Sequence, residues 1–311
     1  MLAYGVDIGG TTVKCGRFDD KGELLKKWEI PTRTENDGEY IIPDIAKAIT
    51  EDMKEAGVNA FDVKGIGVGI PGPILPDGKV NGCVNLGWGV KDVAKELSSL
   101  VFGLPVRTGN DANVAALGEN WKGGGQGADS MIMVTLGTGV GGGIVLNGKI
   151  LSGATGAGGE IGHIHVNDEE ENTCGCGNKG CLEQYASATG IARYATENVK
   201  DYPDSSLNQV QDITAKDVFD AAKEGDAFAK HVVDWMGKQL GTAMSYLAVS
   251  IDPSVFVIGG GVSAAGDILL DAIGKYYKEY AFHSNINTPI KLATLGNDAG
   301  IYGAVAMIVG E

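Results

Sequence analysis

The feature that most restricts the fold of this chain is a pattern it contains twice. Val6-Asp-Ile-Gly-Gly-Thr11 and Val134-Thr-Leu-Gly-Thr-Gly139 agree residue class by residue class. The first joins two apolar runs, Leu2 to Ile8 and Val13 to Phe18; an Asp19-Asp-Lys-Gly22 turn then leads to a third, Glu23 to Ile30. The second joins Met131 to Leu136 with Ile144 to Leu146, and an Asn147-Gly148 turn of hairpin type leads to Lys149 to Leu151. Strand, glycine corner, strand, turn, strand is written twice. A duplicated core unit is the simplest account; a chance likeness of two hairpins is the alternative. Like-built halves facing each other would set both corners across one cleft.

The corners suggest a chemistry. Gly9 and Gly10 let backbone amides point outward together, Thr11 and Thr12 add hydroxyls, and Lys14 adds a cation. Thr138 and Gly139 hold the matching place in the second copy. Loops of this kind can cradle phosphate oxygens. Asp7, at the strand end, can hold Mg²⁺ through water, because hard cations prefer oxygen ligands. A glycine hairpin with solvated threonines is the plainer reading of either corner taken alone. Gly259-Gly260-Gly261 follows the β-branched run Val255 to Ile258 and precedes a helix expected from about Ala264 to Tyr280. That is a nucleotide-binding corner in outline, though three glycines alone are weak support.

Between the copies, helices are expected at Tyr40 to Ala56, Val90 to Phe102 and Val114 to Trp121, and strands at Gly65 to Ile70, Val80 to Leu86 and Leu104 to Arg107. Asn85 lies near the end of one strand. The strand 104–107 delivers Asn110-Asp111-Ala112-Asn113 to the head of a helix. Asp111 there is either a plain helix cap or a base placed to take a proton from a substrate hydroxyl, with Asn110 fixing the neighbouring hydroxyl.

Gly159-Glu160-Ile161-Gly162-His163 and Cys174-Gly-Cys176-Gly-Asn-Lys-Gly-Cys181-Leu-Glu183 bring one imidazole, three thiols and two carboxylates together. Three cysteines and one histidine suit a closed tetrahedral zinc site. A disulfide framework would need an oxidising compartment, and five cysteines are an odd number; unrelated buried thiols are a further possibility. A purely structural knuckle has no need of Glu160 and Glu183. They predict a metal-stiffened wall of a polar-ligand pocket, with solvated loop carboxylates as the alternative. Beyond this element, helices are expected at Leu182 to Val199, Thr214 to Lys223, Asp226 to Val249 and Ala299 to Val309, a polar loop at Ser205 to Asp212, and a last strand at Lys291 to Leu295.

A chain of 311 residues can bury two cores, and a net charge of -15 argues against nucleic-acid partners. No apolar run reaches the length of a membrane span, and nothing in the first residues resembles a secretion signal. A reducing cytoplasm is the expectation, with Cys15 and Cys83 as buried thiols and His231 and His283 as bystanders.

Together these pieces resemble the ROK family (repressors, open reading frames, kinases) of the actin-like sugar kinases, along the whole chain. Asp7-Ile-Gly-Gly-Thr11 and Leu136 to Gly143 look like its two phosphate motifs, and Asn110 to Glu119 like its catalytic segment. Glu160 to His163 with Cys174 to Glu183 looks like its sugar and zinc signature, a highly specific pair. Asn85-Leu-Gly-Trp88 and Cys181 to Ser187 look most like bacterial glucokinases; Gly109 departs slightly, where relatives often carry a larger polar residue. The resemblance implies an α/β, actin-like (ribonuclease H-like) duplicated fold with an interdomain cleft. Its small domain would comprise residues 1–112 plus about 297–311, and its large domain residues 113–296 with the zinc element at 160–183. It implies MgATP-dependent phosphorylation of glucose, or a related hexose such as N-acetylglucosamine, N-acetylmannosamine or fructose, at the 6-hydroxyl. Asp111 would be the general base; Asn85, Asn110, Glu160, His163 and Glu183 would bind sugar. His163, Cys174, Cys176 and Cys181 would hold zinc, and the protein would be a homodimer or homotetramer. A sugar-responsive transcription factor and a non-catalytic sugar sensor are the readings from other classes.

Overall fold

The computed structural model describes residues 1–75 and 77–310; Glu311, the end of the expected small domain, lies outside the described residues. The chain opens with the expected meander: β1 (Leu2–Ile8), β2 (Thr12–Asp19) and β3 (Leu24–Pro31), antiparallel throughout. A short left-handed turn, α1 (Glu35–Gly38), leads into α2 (Ile41–Ala56). Gly57, at φ 65°, closes α2, with the Val58 amide donating to the Met53 carbonyl. Next come β4 (Val63–Ile70), the hairpin β5 (Val80–Cys83) and β6 (Trp88–Lys91), α3 (Val93–Leu100), β7 (Val106–Asn110) and α4 (Asp111–Lys122). The second copy is β8 (Ser130–Leu136), β9 (Val140–Leu146) and β10 (Lys149–Ile150). After it stand α5 (Glu183–Ala186), α6 (Ala188–Asn198), α7 (Ala215–Glu224), α8 (Ala227–Ile251), β11 (Val255–Gly259), α9 (Asp267–Tyr280), β12 (Ile290–Leu292) and α10 (Ala299–Val309).

The duplication is plain in the two sheets. One has the order β3-β2-β1-β4-β7, the other β10-β9-β8-β11-β12. In the first, β1, β4 and β7 run parallel; in the second, β8, β11 and β12 do. This is the expected α/β actin-like plan.

The chain divides into two compact units, Met1–Asp129 with Gly143–Gly159 and Thr294–Glu311, and Ser130–Gly142 with Glu160–Ala293. The divide expected from the sequence lies at 112/113 and near 296/297, whereas α4 and residues 143–159 fall in the first unit here. Two cores sandwich the first sheet. Tyr4, Val6, Ile42, Ile45, Ile49 and Leu97 pack one face, and Phe18, Ile301, Val305 and Ile308 the other. The abundant glycines have a concrete use on the second face. A Cβ at Gly5 or Gly67 would overlap the carbonyls of Ile301 or Ala304, so α10 lies directly on the sheet backbone.

Several element boundaries differ from expectation. The strand expected at 80–86 stops at Cys83 and passes through a 3₁₀ turn, Val84–Leu86, into β6, because Gly87 at φ 74° turns the chain back. The helix expected from Val90 starts at Val93, where the Asp92 carboxylate accepts from the Lys95 amide. The helix expected at 182–199 breaks at Ser187, whose hydroxyl accepts from Gly190 N and caps α6. The polar loop 205–212 contains a 3₁₀ turn, Ser206–Gln209. The helix expected from about Ala264 begins at Asp267, after a 3₁₀ turn and Gly266 at φ 75°.

Candidate active site

Each unit carries its own share of the expected site residues. In the first, the corner between β1 and β2 is closed by Gly9 N donating to Thr12 O at 2.9 Å. Thr32 ties it down further, its hydroxyl donating to Gly9 O at 2.7 Å and its amide to Thr11 O at 2.9 Å. The amides of Gly10 and Thr11 have no acceptor among the described residues. The Lys14 ammonium donates to the Asn297 carbonyl at 2.9 Å, and its charge is felt at Asp7.

Asp7 and Asp111 influence each other. Burial pushes the Asp7 carboxyl up to about 6; Lys14 opposes that shift and the Asp111 charge adds to it. Asn110 caps α4, its side-chain oxygen accepting from Asn113 N at 3.2 Å. Asn110 Nδ2 donates to the Gly72 carbonyl and to Asp111 Oδ1, both at 3.0 Å, and the Ala112 amide donates to the same Oδ1 at 2.8 Å. The cap is therefore Asn110, and Asp111 is the first helical residue, its carboxylate oriented by donors on both sides. Asn85 sits exposed in the turn joining β5 to β6.

In the second unit the sugar and metal signatures converge on the second corner. Gly137 N donates to Gly139 O at 3.0 Å, and the amides of Thr138 and Gly139 have no acceptor among the described residues. Glu183 reaches this corner, Oε2 accepting from Val140 N at 2.9 Å. A Cβ on Gly139 would overlap that carboxylate, and one on Gly162 would overlap the Val140 carbonyl. The glycines thus bring Glu183 and the Glu160–His163 turn against one strand start.

His163 and the three cysteines place their ligand atoms within 4.8 Å of one another. His163 Nδ1 stands 3.8 Å from Cys174 Sγ, and Cys176 Sγ 3.6 Å from Cys181 Sγ. With metal–sulfur bonds of about 2.3 Å, tetrahedral neighbours lie roughly 3.8 Å apart, so the four atoms fit a small tetrahedral ion. All three cysteines are free thiols, which removes the disulfide alternative. Burial raises the Cys181 thiol, whereas the hydrogen bond from the Asn178 backbone holds Cys176 below its ordinary value. The knuckle is braced from outside. Cys181 N donates to Gln184, and Tyr185 and Arg193 both reach Glu170 Oε2, at 2.9 and 3.0 Å. No sequence motif marks His165. It spans Lys179 O at 2.9 Å and Asp168 at 2.8 Å.

The third glycine corner opens on a 530 Å³ cavity in the second unit, lined by Gly137, Thr138 and Gly261. Its far wall is α7, through Ala215, Lys216, Phe219 and Lys223. Gly260, at φ 82°, passes so close to Leu136 that a Cβ would overlap its backbone. Thr189 fastens the second corner by donating to Thr138 O at 2.9 Å. No motif marks the α7 wall, and its amphipathic pattern reads as ordinary packing.

Comparison with known proteins places this arrangement. Residues 3–311 match the ROK family. The glucokinase of Halalkalibacterium halodurans is 48% identical over 308 residues, 96% of this chain and 92% of that protein. The structure of a ROK family glucokinase from Streptomyces griseus in complex with glucose and AMPPNP is 34% identical, with a TM-score of 0.76 over 100% of both chains. That of the ROK hexokinase from Thermus thermophilus is 34% identical, with a TM-score of 0.80 over 98% of this chain and 96% of that one. A family match along nearly the full length, with both glycine corners and the His-Cys₃ knuckle in place, means that the chain belongs to the ROK family.

Proposed function

We propose that this protein is an ATP-dependent glucokinase, transferring the γ-phosphoryl group of ATP to the 6-hydroxyl of glucose. The observation that carries the reading is the convergence of Glu183, Glu160 and His163 on the second glycine corner, in a chain 48% identical to a glucokinase. Phosphoryl transfer asks little covalent work of the protein; positioning and charge stabilisation dominate. Asp111 accepts the proton of the 6-hydroxyl as its oxygen attacks in line, held in aim by Asn110 Nδ2 and the Ala112 amide. Asn85, Asn110, Glu160, His163 and Glu183 bind the other sugar hydroxyls.

Gly9, Gly10, Thr11, Thr12, Thr138 and Gly139 hold phosphate oxygens through amides and hydroxyls, and Lys14 adds positive charge nearby. The nucleoside lies in the 530 Å³ cavity that Gly261 lines at the end of the Gly259-Gly260-Gly261 corner, its base against Phe219. Asp7 offers an oxygen to Mg²⁺, which offsets phosphate charge when bound. The His-Cys₃ set suits zinc, which would hold His163 through Nδ1, fix its tautomer and leave Nε2 for a sugar hydroxyl. We assign the protein to the cytoplasm and to glycolysis, as a homodimer or homotetramer. Other hexoses share the hydroxyls that Glu160 and Glu183 would bind, so a sugar panel is part of the test.

Asp111→Asn keeps the shape and removes the base. In a coupled assay kcat is expected to fall on the order of 10²–10⁴, with glucose still bound. Turnover near that of the unaltered protein would refute the assignment. A panel in which another hexose has a higher kcat/KM would keep the mechanism and change the substrate.

A further inference from the structure

One short stretch of chain fixes the second glycine corner. Glu183 Oε2 accepts from Val140 N at 2.9 Å, Ala188 N donates to Gly137 O at 2.8 Å, and the Thr189 hydroxyl donates to Thr138 O at 2.9 Å. The last two bonds come from the start of α6 and involve no residue assigned to the sugar. The first is different, because Glu183 is also a proposed sugar ligand. The same side chain therefore touches the phosphate corner and faces the sugar wall, and all of these residues lie in the second unit.

The carboxylate has room for both tasks. Its two oxygens offer several acceptor positions. Oε2 lies against the corner, where a Cβ on Gly139 would overlap it. Oε1 has, among the described residues, only the Cys174 thiol at 3.8 Å, and the side chain is half-buried, so a hydroxyl can reach it. A half-buried glutamate tied by one amide keeps rotamer freedom, and removing that freedom has a cost. Whenever Glu183 swings off, Val140 N loses its acceptor, and the neighbouring amides of Thr138 and Gly139 lose their aim.

We propose that Glu183 is a positioning residue for the second phosphate corner, locked against Val140 N when a sugar hydroxyl donates to Oε1. The inference rests on the kinase reading above, since it takes glucose as the ligand of Glu183. The cost of ordering the side chain falls on the sugar, and the nucleotide then finds Thr138 and Gly139 already aimed. Immobilising one long side chain corresponds to about a two- to tenfold change in affinity. Linkage is reciprocal, so nucleotide tightens glucose by the same factor.

Equilibrium dialysis of the full chain against AMPPNP with Mg²⁺, without glucose and at saturating glucose, gives the ratio of the two Kd values. In the unaltered protein AMPPNP is expected to bind about two- to tenfold tighter with glucose. Glu183→Ala, with glucose raised until it saturates again, is expected to bring the ratio to about one. Glu183→Asp, too short to meet Val140 N and a sugar hydroxyl together, is expected to do the same, and serves if Glu183→Ala fails to fold. Thr189→Val removes a tie that no sugar touches; it is expected to weaken AMPPNP in both conditions and leave the ratio unchanged. A merely structural Glu183 would behave as Thr189 does. A ratio of about one in the unaltered protein overturns the proposal; so does a ratio that both Glu183 substitutions leave intact, since the coupling would then run through other contacts. Turnover separates this from the kinase assignment. Glucose phosphorylated with no coupling defeats only the positioning role, whereas a chain that neither binds nor phosphorylates glucose defeats both.

Discussion

Asp7 shows what one residue contributes. Its place at the end of β1, beside a glycine corner, was legible in the sequence; its burial and its repulsion by Asp111 were not, because they arise from contacts between distant parts of the chain. A carboxyl raised from 3.8 to about 6 holds a proton in the folded state that the unfolded chain has released. The stability this contributes is complete below about pH 4 and is lost as pH rises through 6. Above pH 6 the ionised, buried carboxylate weakens the fold by roughly 2–3 kcal/mol, at about 1.4 kcal/mol per pH unit. Asp7→Asn should therefore be more stable than the unaltered protein at pH 7.5, by about that amount, and no more stable at pH 4. Urea unfolding at the two pH values checks this, and equal stability at both would show that burial does not strain Asp7. A strained carboxylate is a reasonable site for an ion to relieve.

Among elements, α10 is the one that packing alone explains. Its apolar, small-residue sequence predicts a buried helix, and periodicity places it within a residue. What periodicity cannot give is the partner. Gly303 abuts the Val114 carbonyl of α4, and Gly118 of α4 abuts the Ala299 carbonyl of α10, so the two helices touch backbone to backbone. Glu119 strengthens the junction: its carboxylate accepts from Gly124 N, Thr294 N and Leu295 N, at 2.8, 3.0 and 2.7 Å. Gly303→Ala must push the helices apart and is expected to cost about 1–3 kcal/mol. Gly274→Ala, in α9 with open space around its Cα, should instead stabilise by about 1 kcal/mol through helix propensity. Opposite shifts in the thermal midpoints would verify both. A neutral Gly303→Ala would show that α10 can slide without loss. Helix ends were less legible than helix centres, since Asp92 and Ser187 could be read as surface polar residues until their oxygens were seen to accept amides.

For the whole molecule, the His-Cys₃ knuckle is where the proposed metal would set how firmly one side of the second unit is built. The 160–183 element has little regular structure and few apolar side chains, and is held by hydrogen bonds and four convergent ligand atoms. Cys176→Ser, or chelation, should raise amide hydrogen exchange across 160–185 while β1, β4 and β8 stay protected. Glucose affinity should fall more than ATP affinity; equal losses would mean that the metal merely supports the fold. The sequence by itself determined the duplication, both glycine corners, the Asn110-Asp111 junction and the His-Cys₃ set, because each is written within a couple of dozen residues and follows from local backbone geometry and ligand chemistry. Tertiary structure alone decided which His163 nitrogen faces the thiols, that Glu183 clamps the Val140 amide, and that α7 walls the 530 Å³ cavity. These depend on which distant segments pack together, and side-chain volume and close backbone approach settle that only once the chain has folded.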